Sequence, residues 1–261
     1  DNSLYSNLYN TFNVMLNIIS PSLKQILSFL IFIIVLNSCT SEFKPVTFEI
    51  TSIDTSFDAD INLAFDRAIG DSELSEAINT NIEKTIVSTI SDTESKSGLK
   101  TILNNFNSEF IKFKKDFPDA SEPVWELHIE TDLLYQSEAI ITLAISTYEF
   151  QGGAHGNDKI KFLNLSAKSG EILNQNDIIK NNDAFKALAK KFFIESLATK
   201  ENELNMEDYF FGKPFQLPEN IGISDDGLVL LYNVYEVASY AQGYTEFVIP
   251  FETVESYLKV N

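Results

Sequence analysis

A short apolar segment followed by the only cysteine separates the start of this chain from the part that we expect to fold. Residues 26–36 read ILSFLIFIIVL and are followed by Asn37, Ser38 and Cys39. As a helix, this segment spans about 16 Å, roughly half of a bilayer's hydrocarbon core. That length is typical of the apolar region of a secretory signal peptide and is short for a transmembrane helix. We therefore expect residues 1–38 to contribute nothing to the fold.

The residues around Cys39 match the cleavage site of bacterial lipoproteins, with aliphatic Leu36 three positions earlier and small Ser38 directly before it. A lipoprotein signal peptidase needs this pattern, because the cysteine thiol receives diacylglycerol before cleavage. We expect Cys39 to be lipidated, and residues 39–45 to tether the folded part to the membrane. The alternative is a buried core segment with an incidental free thiol. Either way, a single cysteine excludes an intramolecular disulfide.

The first methionine is Met15, and it suggests where translation begins. A start there leaves a short leading region with one positive charge, Lys24. Residues 1–14 are then upstream sequence. The prediction is an extracytoplasmic protein held on a lipid anchor. Thr40 is not the aspartate that often retains lipoproteins at the inner membrane, so the outer membrane or the cell surface is preferred.

The strong acidity of the chain restricts its partners. The formal net charge is −19 at neutral pH. Nucleic acid and anionic lipid surfaces would be repelled, so we expect membrane contact through the lipid anchor only. A cationic partner would be attracted. The simpler alternative is that the charge keeps an exported surface soluble.

Hydrophobic periodicity predicts an alternation of helix pairs and strands. The pattern favours an α+β fold with mainly antiparallel sheets, packed helices and two subdomains, 46–150 and 151–261. The predicted strands lie within 46–65, 124–132, 139–150, 159–165, 171–173, 221–224, 228–232 and 246–250, and the predicted helices at about 71–90, 98–115, 183–199 and 251–260.

Residues that could support catalysis are few. The only histidines are His128 and His155, which is too few for a typical zinc site, and we expect no metal or other cofactor. On its predicted strand, His128 shares a face with Glu126 and Glu130, which reads better as a solvated stripe than as a site.

His155 lies in a glycine-rich turn that includes Gly152 and Gly153. A ring hydrogen bond that fixes the turn is the favoured reading, while a ligand contact or a general base remain open. A second candidate group consists of four tyrosines, Tyr232, Tyr235, Tyr240 and Tyr244. These side chains could stack on sugar rings, form a protein interface or simply pack in the core.

Two stretches resemble the DUF3298 domain. The first is the turn 152–157 with residues 165–171 (LSAKSGE) after it. The second runs from the predicted hairpin turn at Asp225-Asp226-Gly227-Leu228 through Tyr235-Glu236, Tyr240-Ala241 and Gly243 to Ile249-Pro250. Val234 stands where that family often has proline. Region 46–150 is similar to the DUF4163 domain that commonly precedes it.

The resemblance implies a cell-envelope recognition module, because the family occurs in a lysozyme-sensing anti-sigma factor and ahead of a peptidoglycan deacetylase domain. We expect a non-catalytic lipoprotein that binds a cationic protein such as lysozyme, or a cell-wall glycan. The ligand would contact the residues Gly152, Gly153, His155, Tyr235, Glu236 and Tyr240. Two alternatives remain: a hydrolase or deacetylase that uses His155, and a structural lipoprotein without a small ligand.

Overall fold

The computed structural model describes residues 43–53, 55–91, 98–118, 123–180, 182–198 and 206–260. Residues 45–261 make up one compact unit. The predicted signal segment and Cys39 lie outside the described residues. No helix in the described part of the chain combines the length and apolar character that crossing a membrane requires.

The described residues form eight strands and five α-helices, which confirms the predicted α+β class. In chain order, the elements are β1 (Phe48–Ser52), β2 (Asp60–Ala68), α1 (Glu73–Ile90), α2 (Leu99–Asp116), β3 (Glu126–Gln136), β4 (Ile140–Phe150), β5 (Asn157–Ser166), α3 (Gln175–Ile178), α4 (Asn182–Ala198), β6 (Asn220–Ser224), β7 (Gly227–Tyr232), β8 (Thr245–Pro250) and α5 (Phe251–Val254).

The strands are arranged in two sheets. A five-stranded sheet has the order β1-β2-β3-β4-β5, and a three-stranded sheet has the order β6-β7-β8. All pairs are antiparallel except β2 with β3, which are parallel. Parallel neighbours need a crossover connection, and here α1 and α2 supply it. The prediction of mainly antiparallel sheets is therefore confirmed.

Helices α1 and α2 cover one face of the larger sheet. The sequence offers Asp71 or Ser72 as the cap of α1, and it is the Ser72 hydroxyl that accepts a hydrogen bond from the Ser75 backbone N–H, at 3.1 Å. Ile78, Ile82 and Ile86 are spaced by one helical turn and are fully buried. Stripes of this kind on both helices pack on the sheet and form the first hydrophobic cluster.

Trp125 lies near the centre of the first cluster, just before β3. Its ring lies 5.8 Å from Phe106, 5.8 Å from Phe110 and 5.5 Å from Phe113 of α2, between ring centroids. Aromatic packing of this kind adds about 0.5–1.5 kcal/mol per pair beyond burial. Trp125 is also the only tryptophan, so its fluorescence reports on this cluster.

A second hydrophobic cluster lies between α4 and the three-stranded sheet. Phe193 is fully buried at its centre and has five aromatic neighbours at centroid distances of 5.3–5.9 Å. These neighbours are Tyr209, Phe210, Phe215, Tyr232 and Phe247. Tyr232 thus belongs to the core, and its hydroxyl donates to the Gln216 carbonyl at 2.5 Å.

Asparagine side chains connect the smaller sheet to the outer edge of β5. The Oδ1 of Asn220 accepts from the Phe162 N–H at 2.6 Å, and its Nδ2 donates to the Ile160 carbonyl at 2.8 Å. The Oδ1 of Asn233 accepts from the Ile160 N–H at 2.8 Å, and its Nδ2 donates to the same carbonyl at 3.0 Å. These amides take the place of a sixth strand and satisfy an otherwise open edge. We call the two residues the asparagine clamp.

The sequence predicted most element bounds to within a few residues. The predicted closing helix 251–260 is shorter in the structure, with an α-helix at Phe251–Val254 and a 3-10 turn at Glu255–Tyr257, and there are two further differences. The short helix α3 (Gln175–Ile178) was not predicted, because four residues carry no periodic signal. The second difference is that residues 171–173 form a single bridge, Ile172 with Leu165, in place of a strand. The division at residue 151 stays a prediction; it falls on the turn that joins β4 to β5 within one sheet.

The asparagine clamp generates a stability prediction. In Asn220→Ala, the Phe162 N–H of the β5 edge loses its partner, and the Ile160 carbonyl keeps only the hydrogen bond from Asn233. Because Asn220 is only 9% exposed, we expect the free energy of unfolding to fall by about 1–3 kcal/mol. Urea unfolding followed by Trp125 fluorescence measures it. The control, Asn104→Ala on the exposed face of α2, should stay within about 0.5 kcal/mol of wild type. Equal effects of the two substitutions would contradict this assignment.

Candidate functional site

The glycine-rich turn between β4 and β5 holds His155 at the surface. Gly152 and Gly153 have φ angles of 92° and 103°, a backbone region that favours glycine. The Nδ1–H of His155 donates to the Gly156 carbonyl at 2.8 Å, so one ring nitrogen is used within the turn. The ring itself is exposed.

Three aromatic side chains stack beside this turn. The rings of His155 and Tyr240 lie 4.0 Å apart with an interplanar angle of 20°. Tyr235 continues the stack, 5.4 Å from Tyr240 between ring centroids. The Tyr240 hydroxyl also donates to the Gly156 carbonyl at 3.4 Å, which ties the stack to the turn. Three of the predicted site residues therefore meet in space, although they come from segments about 80 residues apart.

The turn at residues 233–236 presents Tyr235, and the asparagine clamp holds this turn in place. Asn233 is bonded to the β5 edge, and the Glu236 Oε2 accepts from the Asn233 backbone N–H at 2.8 Å. Tyr235 has φ 65° and is 55% exposed. Partial burial raises the pKa of Glu236, while the hydrogen bond from Asn233 opposes that shift. Glu236 thus shapes the turn, and its carboxylate is bonded to backbone and not to His155.

Backbone strain is concentrated near the same turn. Among the described residues, the non-glycine positions with positive φ are Phe210, Phe211 and Tyr235. The Phe210 N–H donates to the Val237 carbonyl at 2.7 Å, so these two strained segments are neighbours. Each of the two segments exposes an aromatic ring, since Tyr235 is 55% exposed and Phe211 is 64% exposed. Such conformations cost about 1–3 kcal/mol each and persist where the surroundings enforce them, often at binding sites.

A groove of about 390 Å³ lies on the face of the larger sheet opposite α1 and α2. Pairing places Tyr148 between His128 of β3 and Asp158 of β5 on that face. The groove is lined by side chains that include His128, Glu130, Ser146, Tyr148, Asp158 and Tyr244.

Close packing joins the groove to the ring stack. A Cβ atom at Gly156 would overlap the ring of Tyr148, so the third glycine of the turn is needed for this close approach. Tyr148 in turn lies 5.8 Å from His128 between ring centroids. We name the combined surface of His155, Tyr235, Tyr240, Tyr148 and Tyr244 the aromatic surface.

From its position on the strand, His128 was predicted to lie in a solvated stripe, and Tyr148 was not among the predicted site residues. In the structure, His128 Nε2 lies 3.6 Å from the Asp60 carboxylate, and that nitrogen is shielded from solvent. The sequence did contain one signal for Tyr148. Side chains alternate between the two faces of a strand, so Tyr148 lies on the same face of β4 as the exposed Ser146. Nothing in the sequence showed that this face would be bordered by the turn containing His155.

Carboxylates around the groove influence the tyrosine hydroxyls. Burial, then Asp158, then Tyr240 raise the pKa of Tyr244 to about 12. Burial, followed by Glu126 and Asp158, also raises the pKa of Tyr148. Both hydroxyls are therefore neutral hydrogen-bond donors at physiological pH. The described residues contain no group of three or more His, Cys, Asp or Glu side chains arranged to hold a metal ion.

Comparison with protein families divides the chain into two matched stretches. Residues 176–252 match the family described as "Protein of unknown function (DUF3298)". The resemblance to DUF3298 is confirmed. Residues 52–158 match the family described as "Deacetylase PdaC". This second stretch covers most of region 46–150, for which DUF4163 stays a prediction, and it contains the turn with His155 that we had quoted for DUF3298.

Solved structures show the same fold. A DUF3298 family member from Bacteroides fragilis superposes with a TM-score of 0.62 at 21% identity, covering 83% of this chain and 95% of that one. A DUF3298 family protein from Pseudomonas aeruginosa gives a TM-score of 0.60 at 18% identity with the same coverage, 83% and 95%. At these identities, the likeness concerns the fold alone. No curated protein matches the chain significantly.

The raised pKa of Tyr244 generates a pH prediction. A tyrosine whose pKa is higher in the folded state than its ordinary value of about 10 stabilises the fold below pH 10, and this stabilisation is lost as the pH rises towards 12. In Tyr244→Phe, the free energy of unfolding should therefore decline less steeply between pH 10 and 12. Tyrosinate absorbance should lose a step that titrates near pH 12. Asp158→Asn should move that step to lower pH, and unchanged titration in both variants would refute the assignment.

Proposed function

We propose that this protein binds cell-wall glycan without catalysis, through the aromatic surface and the adjoining sheet groove. The observation that carries the proposal is the exposed stack of His155, Tyr240 and Tyr235 next to a groove of about 390 Å³. Pyranose rings present flat apolar faces edged with hydroxyl groups, and aromatic side chains with a polar end suit both. A groove of this volume accommodates a short oligosaccharide segment.

Polar groups beside the rings support a sugar ligand. The carboxylates of Glu130 and Asp158 line the groove and can accept hydrogen bonds from sugar hydroxyls. The tyrosine hydroxyls can donate to ring and acetamido oxygens. The match of residues 52–158 to a deacetylase family supports a link to cell-wall glycan.

The hydrogen bonds of His155 and Glu236 favour binding over turnover. A general base needs a partner that orients it and a nucleophile within about 3 Å. His155 Nδ1–H is bonded to the carbonyl of its own turn, and the Glu236 carboxylate is bonded to a backbone N–H. The bond at Nδ1 orients the ring, but in the described part of the chain no hydrogen bond joins His155 Nε2 to a hydroxyl or thiol that it could activate. The hydrolase or deacetylase alternative that uses His155 stays open to test, and His128, whose Nε2 lies 3.6 Å from the Asp60 carboxylate, is a second histidine to test.

A cationic protein is the second candidate ligand. Carboxylates surround the aromatic surface, with Asp158 and Glu130 in the groove and Asp60 beside His128. Together with a net charge of −19, they would attract a basic protein such as lysozyme and raise its association rate at low salt.

The glycan proposal predicts that Tyr240→Ala weakens binding. We expect the affinity for chitin or peptidoglycan oligomers to fall about tenfold, which corresponds to about 1.4 kcal/mol, because the central ring of the stack is lost. Calorimetric titration of the full chain in nonionic detergent measures it. Phe117→Ala, which removes an aromatic ring that is 58% exposed at the end of α2, serves as the control and should bind like wild type.

The other candidates give different outcomes in the same experiment. Lysozyme binding that disappears at moderate salt, without oligosaccharide binding, would support the protein ligand. Product formation from the oligosaccharides that is lost in His155→Ala or His128→Ala would identify an enzyme. Absence of any binding would leave the structural lipoprotein.

We further propose that Cys39 carries the lipid anchor, with the protein at the outer membrane or cell surface. The chain expressed in a bacterial host should incorporate radiolabelled palmitate and fractionate with membranes. Cys39→Ala should lose the label entirely. Ser41→Ala, two residues further on, is the matched control and should keep it. Retention of label in the Cys39 variant would disprove lipidation at this residue.

A further inference from the structure

A second groove, of about 360 Å³, lies between α1 and the β5 edge on the helix-covered side of the larger sheet. Its polar lining includes Lys84 and Ser88 of α1, Lys161 of β5 and Glu219. The groove shares none of its lining residues with the sheet groove.

Two ammonium groups face one carboxylate in this lining, which is unusual in a chain of net charge −19. Within the described part of the chain, neither Lys84 nor Lys161 has a carboxylate oxygen within 4.0 Å. The Glu219 carboxylate therefore interacts electrostatically with the Lys161 ammonium, but it lies too far away to form an ion pair with it. The lining keeps a local excess of positive charge.

Lys161 is held in position within the groove. Its Nζ donates to the Ser88 Oγ at 3.1 Å, and the Ser88 hydroxyl donates its own hydrogen to the Thr85 carbonyl at 2.7 Å. An ammonium has three N–H groups, so two remain for another acceptor. Lys161 is exposed as a residue, but partial desolvation of its charged group and the nearby Lys159 lower its pKa, which Glu219 partly opposes. An anion in the groove would relieve that unfavourable environment.

The lining of the groove also includes apolar side chains. Phe162, Ile172, Leu173 and Ile221 are among them, and Ile172 is 39% exposed. A ligand with only a charged group, such as inorganic phosphate, would leave these apolar side chains uncovered. A charged group attached to a short hydrocarbon body would contact both the lysines and the apolar side chains.

We infer that the groove between α1 and β5 binds a small organic carboxylate, with its charge on Lys161 and Lys84 and its apolar body against Phe162 and Ile172. The site is independent of the glycan proposal. Its volume suits a molecule of fewer than about twenty non-hydrogen atoms.

Lysine-resolved NMR tests this inference. The full chain, biosynthetically labelled with ¹³C and ¹⁵N on its lysines so that the ammonium groups stay unmodified, is kept in nonionic detergent and titrated with hexanoate. The Lys161 signal, assigned with Lys161→Arg, should shift saturably in the low millimolar range, about 1–10 mM, as expected for so small a ligand. Its pKa should rise when the ligand is bound. Lys168, on the exposed turn after β5, should not respond.

Matched ligands and variants decide the result. Hexanamide, which has the same body without the charge, and inorganic phosphate should both bind at least tenfold more weakly than hexanoate. Lys161→Gln should weaken hexanoate binding about tenfold, as read from the Lys84 signal, while Lys168→Gln leaves it unchanged. Equal shifts at Lys161 and Lys168, tighter binding of phosphate, or no saturation would each overturn the inference. The effect of Tyr240→Ala on oligosaccharide binding tests only the aromatic surface and does not affect this inference.

Discussion

The edge of β5 is the point on which the architecture depends. An exposed strand edge leaves backbone N–H and C=O groups without partners and invites pairing with other chains. Here the side-chain amides of Asn220 and Asn233 bond to that edge, at distances of 2.6–3.0 Å. Asn164 adds the reverse link, since its Nδ2 donates to the Ile221 carbonyl at 2.7 Å. One set of hydrogen bonds thus satisfies the edge and joins the two hydrophobic clusters.

The same interaction accounts for the recognition surface. Asn233 opens the turn that presents Tyr235, and the strand to which it bonds begins directly after the turn of His155. Fixing one turn against the other brings His155 to 4.0 Å from Tyr240. Separate segments can then offer a rigid aromatic surface, and a preorganised surface loses less conformational freedom when a ligand binds.

Sequence reasoning worked where local periodicity decides structure. The stripe of Ile78, Ile82 and Ile86 marks α1, and Ser72 marks its start. The glycines at 152 and 153 mark a turn, and the tyrosines were identified as a group. It was less successful for long-range arrangement. The parallel pairing of β2 with β3, the position of His128 beside Asp60 and the asparagine clamp depend on contacts between distant residues, and single residue types such as asparagine leave no periodic trace.

The most direct test of this account is the NMR signal of the His155 ring protons. A tyrosine ring stacked at 4.0 Å should shift these protons upfield by its ring current. If the bonds of Asn233 to β5 set the stack, the upfield shift should be present in the wild-type protein and lost in Asn233→Ala that still gives a folded spectrum. His155 signals that keep the same shifted positions in Asn233→Ala would show that the stack forms without the clamp, and the central claim would fail.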